Sequence, residues 1–164
     1  MKQVKSLYIA IGVGVLIVIL AVFFTYSADQ ARIRGESFGN NLQAIQDELK
    51  QVQGNFYSNK AIFDEGGMTK EEFSLFAKTH IERLELIVQK YDTLRPPESF
   101  APAVKLFKLS TQKQLESDKY LIEWIVNGDE SARVRSDLLL QESFADEMAA
   151  LTSYSKAKDR AGQN

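Results

Sequence analysis

Residues 38–56, FGNNLQAIQDELKQVQGNF, decide the fold. Within them Phe38, Leu42, Ile45, Leu49, Val52 and Phe56 follow one another at spacings of four, three, four, three and four. That is the a/d pattern of a helix that lays one apolar seam against its neighbours. The seam runs backward through Gly35, Ala31 and Ala28, so the helix is expected to begin close to residue 28. Gly35 and Gly39 each weaken it by about 1 kcal/mol relative to Ala. They are expected to form either a flexible neck or points of close helix approach.

Beyond the seam, Asp64-Glu65-Gly66-Gly67 is a clear break, and Met68-Thr69-Lys70-Glu71-Glu72-Phe73 opens a second helix. Thr69 and Glu72 have the spacing of a capping box, with Met68 and Phe73 placed as its hydrophobic staple. This helix presents Phe73, Ala77, His80, Leu84, Val88 and Tyr91 on one face and ends before Pro96-Pro97. Ser99 is expected to cap a third helix that tolerates Pro102 in its first turn. Its apolar face is Val104, Phe107, Leu115, Ile122 and Ile125, widened by Leu106, Leu121 and Trp124. Asn127-Gly128 closes it, and Asp129 starts a fourth helix carrying Val134, Leu138, Phe144, Met148 and Leu151, which frays after Tyr154. No segment alternates with period two. The fold class is therefore all-α, an antiparallel four-helix bundle over residues 28–156 with a polar tail at 157–164.

On the other side of the seam, no charged residue occurs from Ser6 to Ala28, and Leu7 to Thr25 is almost continuously apolar. About 20 such residues span a bilayer core of roughly 30 Å. Residues 7–27 are thus expected to be a transmembrane helix in contact with membrane lipid, and Tyr8 and Tyr26 suit its two interfaces. Lys2 and Lys5 place the short end, residues 1–6, in the cytoplasm and the bundle outside the cell membrane. A cleaved signal peptide is the competing reading, but its apolar region would be long and Tyr26 spoils the small-residue site at Thr25 and Ser27.

Composition removes much chemistry. The 164 residues contain no Cys and one His, and 20 basic side chains face 22 acidic ones. Disulfides, thiolate metal sites, Cys nucleophiles and multi-histidine metal centres within one chain are excluded. The charge balance gives no drive toward nucleic acid. His80 has no Glu three residues before it, so the paired motif of di-iron bundles is missing. A haem held by His80 with Met68 or Met148 is disfavoured against a hydrogen-bonded core histidine. Glu71-Glu72 and Asp129-Glu130 sit at helix starts, where the macrodipole favours negative charge. No phosphate loop, nucleophile elbow or calcium loop occurs. We expect no enzyme and no cofactor.

One constellation carries a sharper possibility. Ser110, Thr111, Gln114, Ser117 and Asp118 share one face of the third helix, between the apolar positions Phe107 and Ile122. With His80 they are the candidate residues for a small-ligand site; the bland alternative is a solvated flank. Trp124, Phe100, Phe107 and the first seam are expected to be core. Ten Phe residues in so short a chain are generous, and a protein partner or a homo-oligomer is expected to use part of that apolar surface.

The Pro96-Pro97-Glu98 and Asn127-Gly128-Asp129 turns, with one N-terminal span, resemble small membrane-anchored helical proteins of unknown function found in archaea. The resemblance covers residues 90–155 best and implies no catalytic residues. In architecture alone the exported part resembles the four-helix ligand-binding domains of chemoreceptors, which would make it a sensor working with a partner. The expectation is a non-enzymatic accessory or scaffold protein, with the ligand or sensor module as the alternative.

Overall fold

The computed structural model describes residues 36–161. They form four helices, α1 (Glu36–Asp64), α2 (Lys70–Thr93), α3 (Ala101–Asn127) and α4 (Glu130–Ala161), with a single 3₁₀ turn at Glu98–Phe100 and, among the described residues, no strand. The expected span at 7–27 and the short end at 1–6 lie outside the described residues. Among the described residues no helix is long and apolar enough to cross a membrane.

Local chemistry sets the helix ends. After Asp64 the chain turns through Gly66 at φ 78°, and Gly66 and Gly67 donate back to the Phe63 and Ile62 carbonyls. Only Gly adopts that conformation without strain. Thr69 and Glu72 form both halves of the capping box, with Thr69 Oγ1 accepting from the Glu72 amide and the Glu72 carboxylate accepting from the Thr69 amide. The Thr69 amide and hydroxyl both donate to the Glu72 carboxylate, and those two bonds hold it below its ordinary range. Ser99 is not the cap of α3. Its place is inside the 3₁₀ turn, Phe100 is the cap residue without a side-chain bond, and Pro102 lies in the first turn. Gly128, at φ 76°, ends α3 by donating to the Trp124 carbonyl, and Asp129 Oδ1 accepts from the Ser131 amide at the start of α4. α4 does not fray at Tyr154; it continues to Ala161 with Ala157 buried and Lys158 and Arg160 in its last turn, where cations suit the dipole.

Neighbouring helices run antiparallel. Gln46 reaches Tyr91 while Phe56 stacks on His80, so α1 and α2 are opposed. His80 reaches Asp118 while Tyr91 reaches Thr111, so α2 and α3 are opposed as well. Ser110 meets Ser143 and Ser117 meets Ser136, which opposes α3 and α4. α3 and α4 approach most closely, whereas no Cα of α1 comes within 8 Å of α4. The wider gap is filled by large side chains: Phe38, Leu42, Leu151 and Tyr154 share one core, and Phe100 bridges it, 5.6 Å from Phe38 and 5.0 Å from Tyr154. A second cluster of Phe56, Phe73 and Ala77 closes the other end.

The first seam is buried from Phe38 to Phe56, as its spacing predicts. Gly39 lies inside α1, and a Cβ added there meets nothing within 4 Å, so it is not a point of close approach. On α2, Ile87 is fully buried and Val88 only partly so. Trp124 is not core: its indole N–H donates to Glu130 at 3.3 Å and Arg133 lies over its ring.

Candidate functional site: a polar core

The five polar residues of α3 are all buried, and so is His80. They are not a solvated flank. They divide by spacing into two groups, because positions seven apart face one neighbour while those offset by one face another.

Ser110 and Ser117 face α4. Ser117 Oγ donates to the Ser136 carbonyl at 2.8 Å, and Ser143 Oγ donates to the Ser110 carbonyl at 3.0 Å. The hydroxyls of each pair also meet at 3.1 Å. The same register brings Ala103 opposite Ala150, both without exposed surface. On α4 the small residues Ser136, Ser143, Ala150 and Ala157 recur every seven positions, all buried. Small side chains let the backbones close in, and each hydroxyl finds its partner on the facing chain.

Thr111, Gln114 and Asp118 face α1 and α2. His80 Nε2–H donates to Asp118 Oδ2 at 2.8 Å, both side chains being 1% exposed. Gln53 Nε2 donates to the same oxygen at 3.0 Å and to Gln114 Oε1 at 3.3 Å. The His80 ring stacks on Phe56 with centroids 4.0 Å apart. Two turns further along, Gln46 Nε2 donates to Tyr91 Oη at 2.6 Å, and Tyr91 Oη–H donates to Thr111 Oγ1 at 3.1 Å. Thr111 in turn donates to the Phe107 carbonyl, so the chain of donors has one direction. Burial pushes the Tyr91 phenol well up, and its bonds to Thr111 and Gln46 offset part of that. Tyr57 is also raised, by burial first and then by Asp118 and Asp137.

Among the described residues, the buried atoms His80 Nδ1, Gln53 Oε1 and Glu147 Oε2 have no hydrogen-bond partner. Glu147 is 3% exposed on the inner side of α4, and desolvation raises its carboxyl to about 8. It is therefore largely protonated at neutral pH.

Six residues singled out from the sequence thus meet in one core, but as partners of two different interfaces. Sequence reasoning missed Gln46, Gln53, Ser136, Ser143 and Glu147. The seven-residue recurrence of small residues on α4 is the signal that marks two of them. As chemistry, Asp118 orients His80, yet the nearby hydroxyls of Ser110, Thr111 and Ser117 are committed elsewhere and the dyad is closed to solvent. Among the described residues no three His, Cys, Asp or Glu side chains gather in a group that can hold a metal. An open depression of about 350 Å³ lies on α1 and α2, lined by Glu48, Arg83, Leu86, Gln89, Lys90 and Thr93, none of them a polar-core residue.

The burial of α4's small-residue stripe has an outward consequence. Val134, Leu138 and Met148, expected to face the core, are 53%, 54% and 44% exposed. Only Phe144 and Leu151 of that expected face pack inward. The stripe of small residues lies on the other side of the helix and wins because it makes the close, hydrogen-bonded seam with α3.

Compared with known proteins, the chain matches no family model, no curated protein and no solved structure.

Proposed function

We propose that this chain is a membrane-tethered, non-enzymatic accessory or scaffold protein that acts through protein–protein contacts outside the cytoplasm. The observation that carries the reading is the outer face of α4. Val134, Leu138, Ala145 and Met148 stand in solvent on a helix whose opposite side is already satisfied. An apolar stripe left outside a well-packed bundle is the ordinary mark of a contact surface. The uncharged run at residues 7–27 supports the tether, and Lys2 and Lys5 support the orientation. The test is purification of the full chain from its own membranes in mild detergent, beside Leu138→Asp. A stoichiometric partner that the variant loses, with helicity unchanged, supports the reading. Equal capture by both forms, or none by either, removes the stripe as the contact surface.

A second reading is a small-ligand or sensor module working with a partner. What favours it is the pair of unpartnered atoms, His80 Nδ1 and Gln53 Oε1, beside Asp118 and Gln114 in the core. A thermal-shift screen with small polar compounds tests it. Stabilisation that Gln114→Ala abolishes supports it, and no stabilisation by any compound rejects it.

A further inference from the structure

We propose that the outer stripe of α4 pairs with the same stripe of a second copy of this chain, as a two-fold antiparallel helix pair. This rests on the protein-contact reading and names its partner. Ser131, Val134, Leu138, Gln141, Ala145 and Met148 are spaced three, four, three, four and three apart, and all six are exposed. A seam of that spacing fits another helix crossing at a shallow angle.

The side chains choose the second helix. With Leu138 set against Gln141 of the second copy in antiparallel sense, Val134 meets Ala145 and Met148 meets Ser131. Each layer then places a large side chain on a smaller or polar one, and the two-fold axis repeats the set in reverse. The same register brings Arg135 against Glu142 of the second copy, twice. Within its own chain Arg135 lies over the Tyr120 ring and Glu142 pairs with Lys113 at 3.1 Å, so both charges already stand at the edge of the stripe. Other arrangements lose this match. Leu138 set against Met148 brings Glu142 against Glu142. A parallel pair brings Asp137 beside Glu142, like charges that cost association.

The chain has no Cys, so single introduced cysteines report the geometry in the full-length protein in mild detergent. The paired variant Val134→Cys with Ala145→Cys, and Leu138→Cys alone, are expected to form disulfide-linked dimers on mild oxidation. Val134→Cys alone is expected to stay unlinked, because its copies lie about 16 Å apart along the axis. Glu142→Arg should weaken dimerisation about tenfold, and adding Arg135→Glu should restore it. A monomeric mass with no linked dimer overturns the self-pairing. Linkage of Val134→Cys alone, or no restoration by the double charge reversal, overturns the antiparallel register. A monomer whose Leu138→Asp form still loses a different stoichiometric protein would leave the contact-surface reading standing while rejecting the second copy.

Discussion

Between α3 and α4 the facing side chains are Ser110, Ser117, Ser136, Ser143, Ala103 and Ala150; between α1, α2 and α3 they are Phe56, Phe73, Leu84 and Ile87, with glutamines, His80 and Asp118 set among them. The first interface is held by closeness, the second by volume. Small residues let two backbones approach until hydroxyls bond across the gap, so little apolar area is needed. Large residues keep the backbones apart, and the space between them must be filled completely, by rings or by polar groups that satisfy each other. The two interfaces meet on α3, which explains why one helix carries an uninterrupted polar stripe and still has almost none of it in water.

The comparison breaks in opposite directions under opposite substitutions. Phe56→Ala should have the largest effect, about 3–5 kcal/mol, because it empties volume beneath the His80 ring. Chemical denaturation of the variant measures it, and a cost below that of an exposed alanine substitution would mean that the large-residue region is not filled as described. Ser143→Leu should cost about 2–3 kcal/mol by forcing α3 and α4 apart, although it adds apolar surface. If it stabilises the bundle, closeness is not what holds that seam.

Glu147 sharpens the comparison from the inner side of α4. Its folded-state pKa is raised to about 8 by desolvation, from an ordinary value of 4.5. Between those values the unfolded chain loses the proton while the folded chain keeps it. Stability should therefore fall as pH rises from about 4.5 to about 8 and then level off. Glu147→Gln should remove that slope and stabilise the protein by about 2 kcal/mol at pH 8, read from melting curves at pH 5 and pH 8. An unchanged slope would assign the pH dependence to other groups. The smallest effect on folding belongs to Leu138→Asp, below about 0.5 kcal/mol, since that side chain is 54% exposed. A large loss of stability in the monomer would place Leu138 in the core after all.

Much of this was legible from residue order. The first seam, the capping box at Thr69 and Glu72 and the glycine stop at Gly128 depend on side chains within one or two turns of each other. Their reading needed no knowledge of the other helices. By residue pattern alone the large apolar side chains of α4 take the inward side, whereas in the fold Val134, Leu138 and Met148 face outward. Ser and Ala carry little hydrophobic weight, and their seven-residue recurrence becomes decisive only when α3 offers matching small residues at Ala103, Ser110 and Ser117. The candidate site was half legible. Its α3 residues were found by their shared face, but Gln46 and Gln53 look like surface residues until Tyr91 and Asp118 stand opposite them.

By itself, then, the sequence determined the four helices of the described residues, where most of them stop and the seam of α1, because helix periodicity and caps are local physics. It also removed thiol chemistry and left one uncharged run of membrane length. Only the tertiary structure decided that the polar stripe of α3 is core, that α4 turns its small residues inward and its Val134, Leu138 and Met148 outward, and that Glu147 Oε2 is buried with no hydrogen-bond partner. Those outcomes depend on which faces compete for the same neighbour, and that competition is settled by backbone distance and hydrogen-bond partners that no single helix carries within itself.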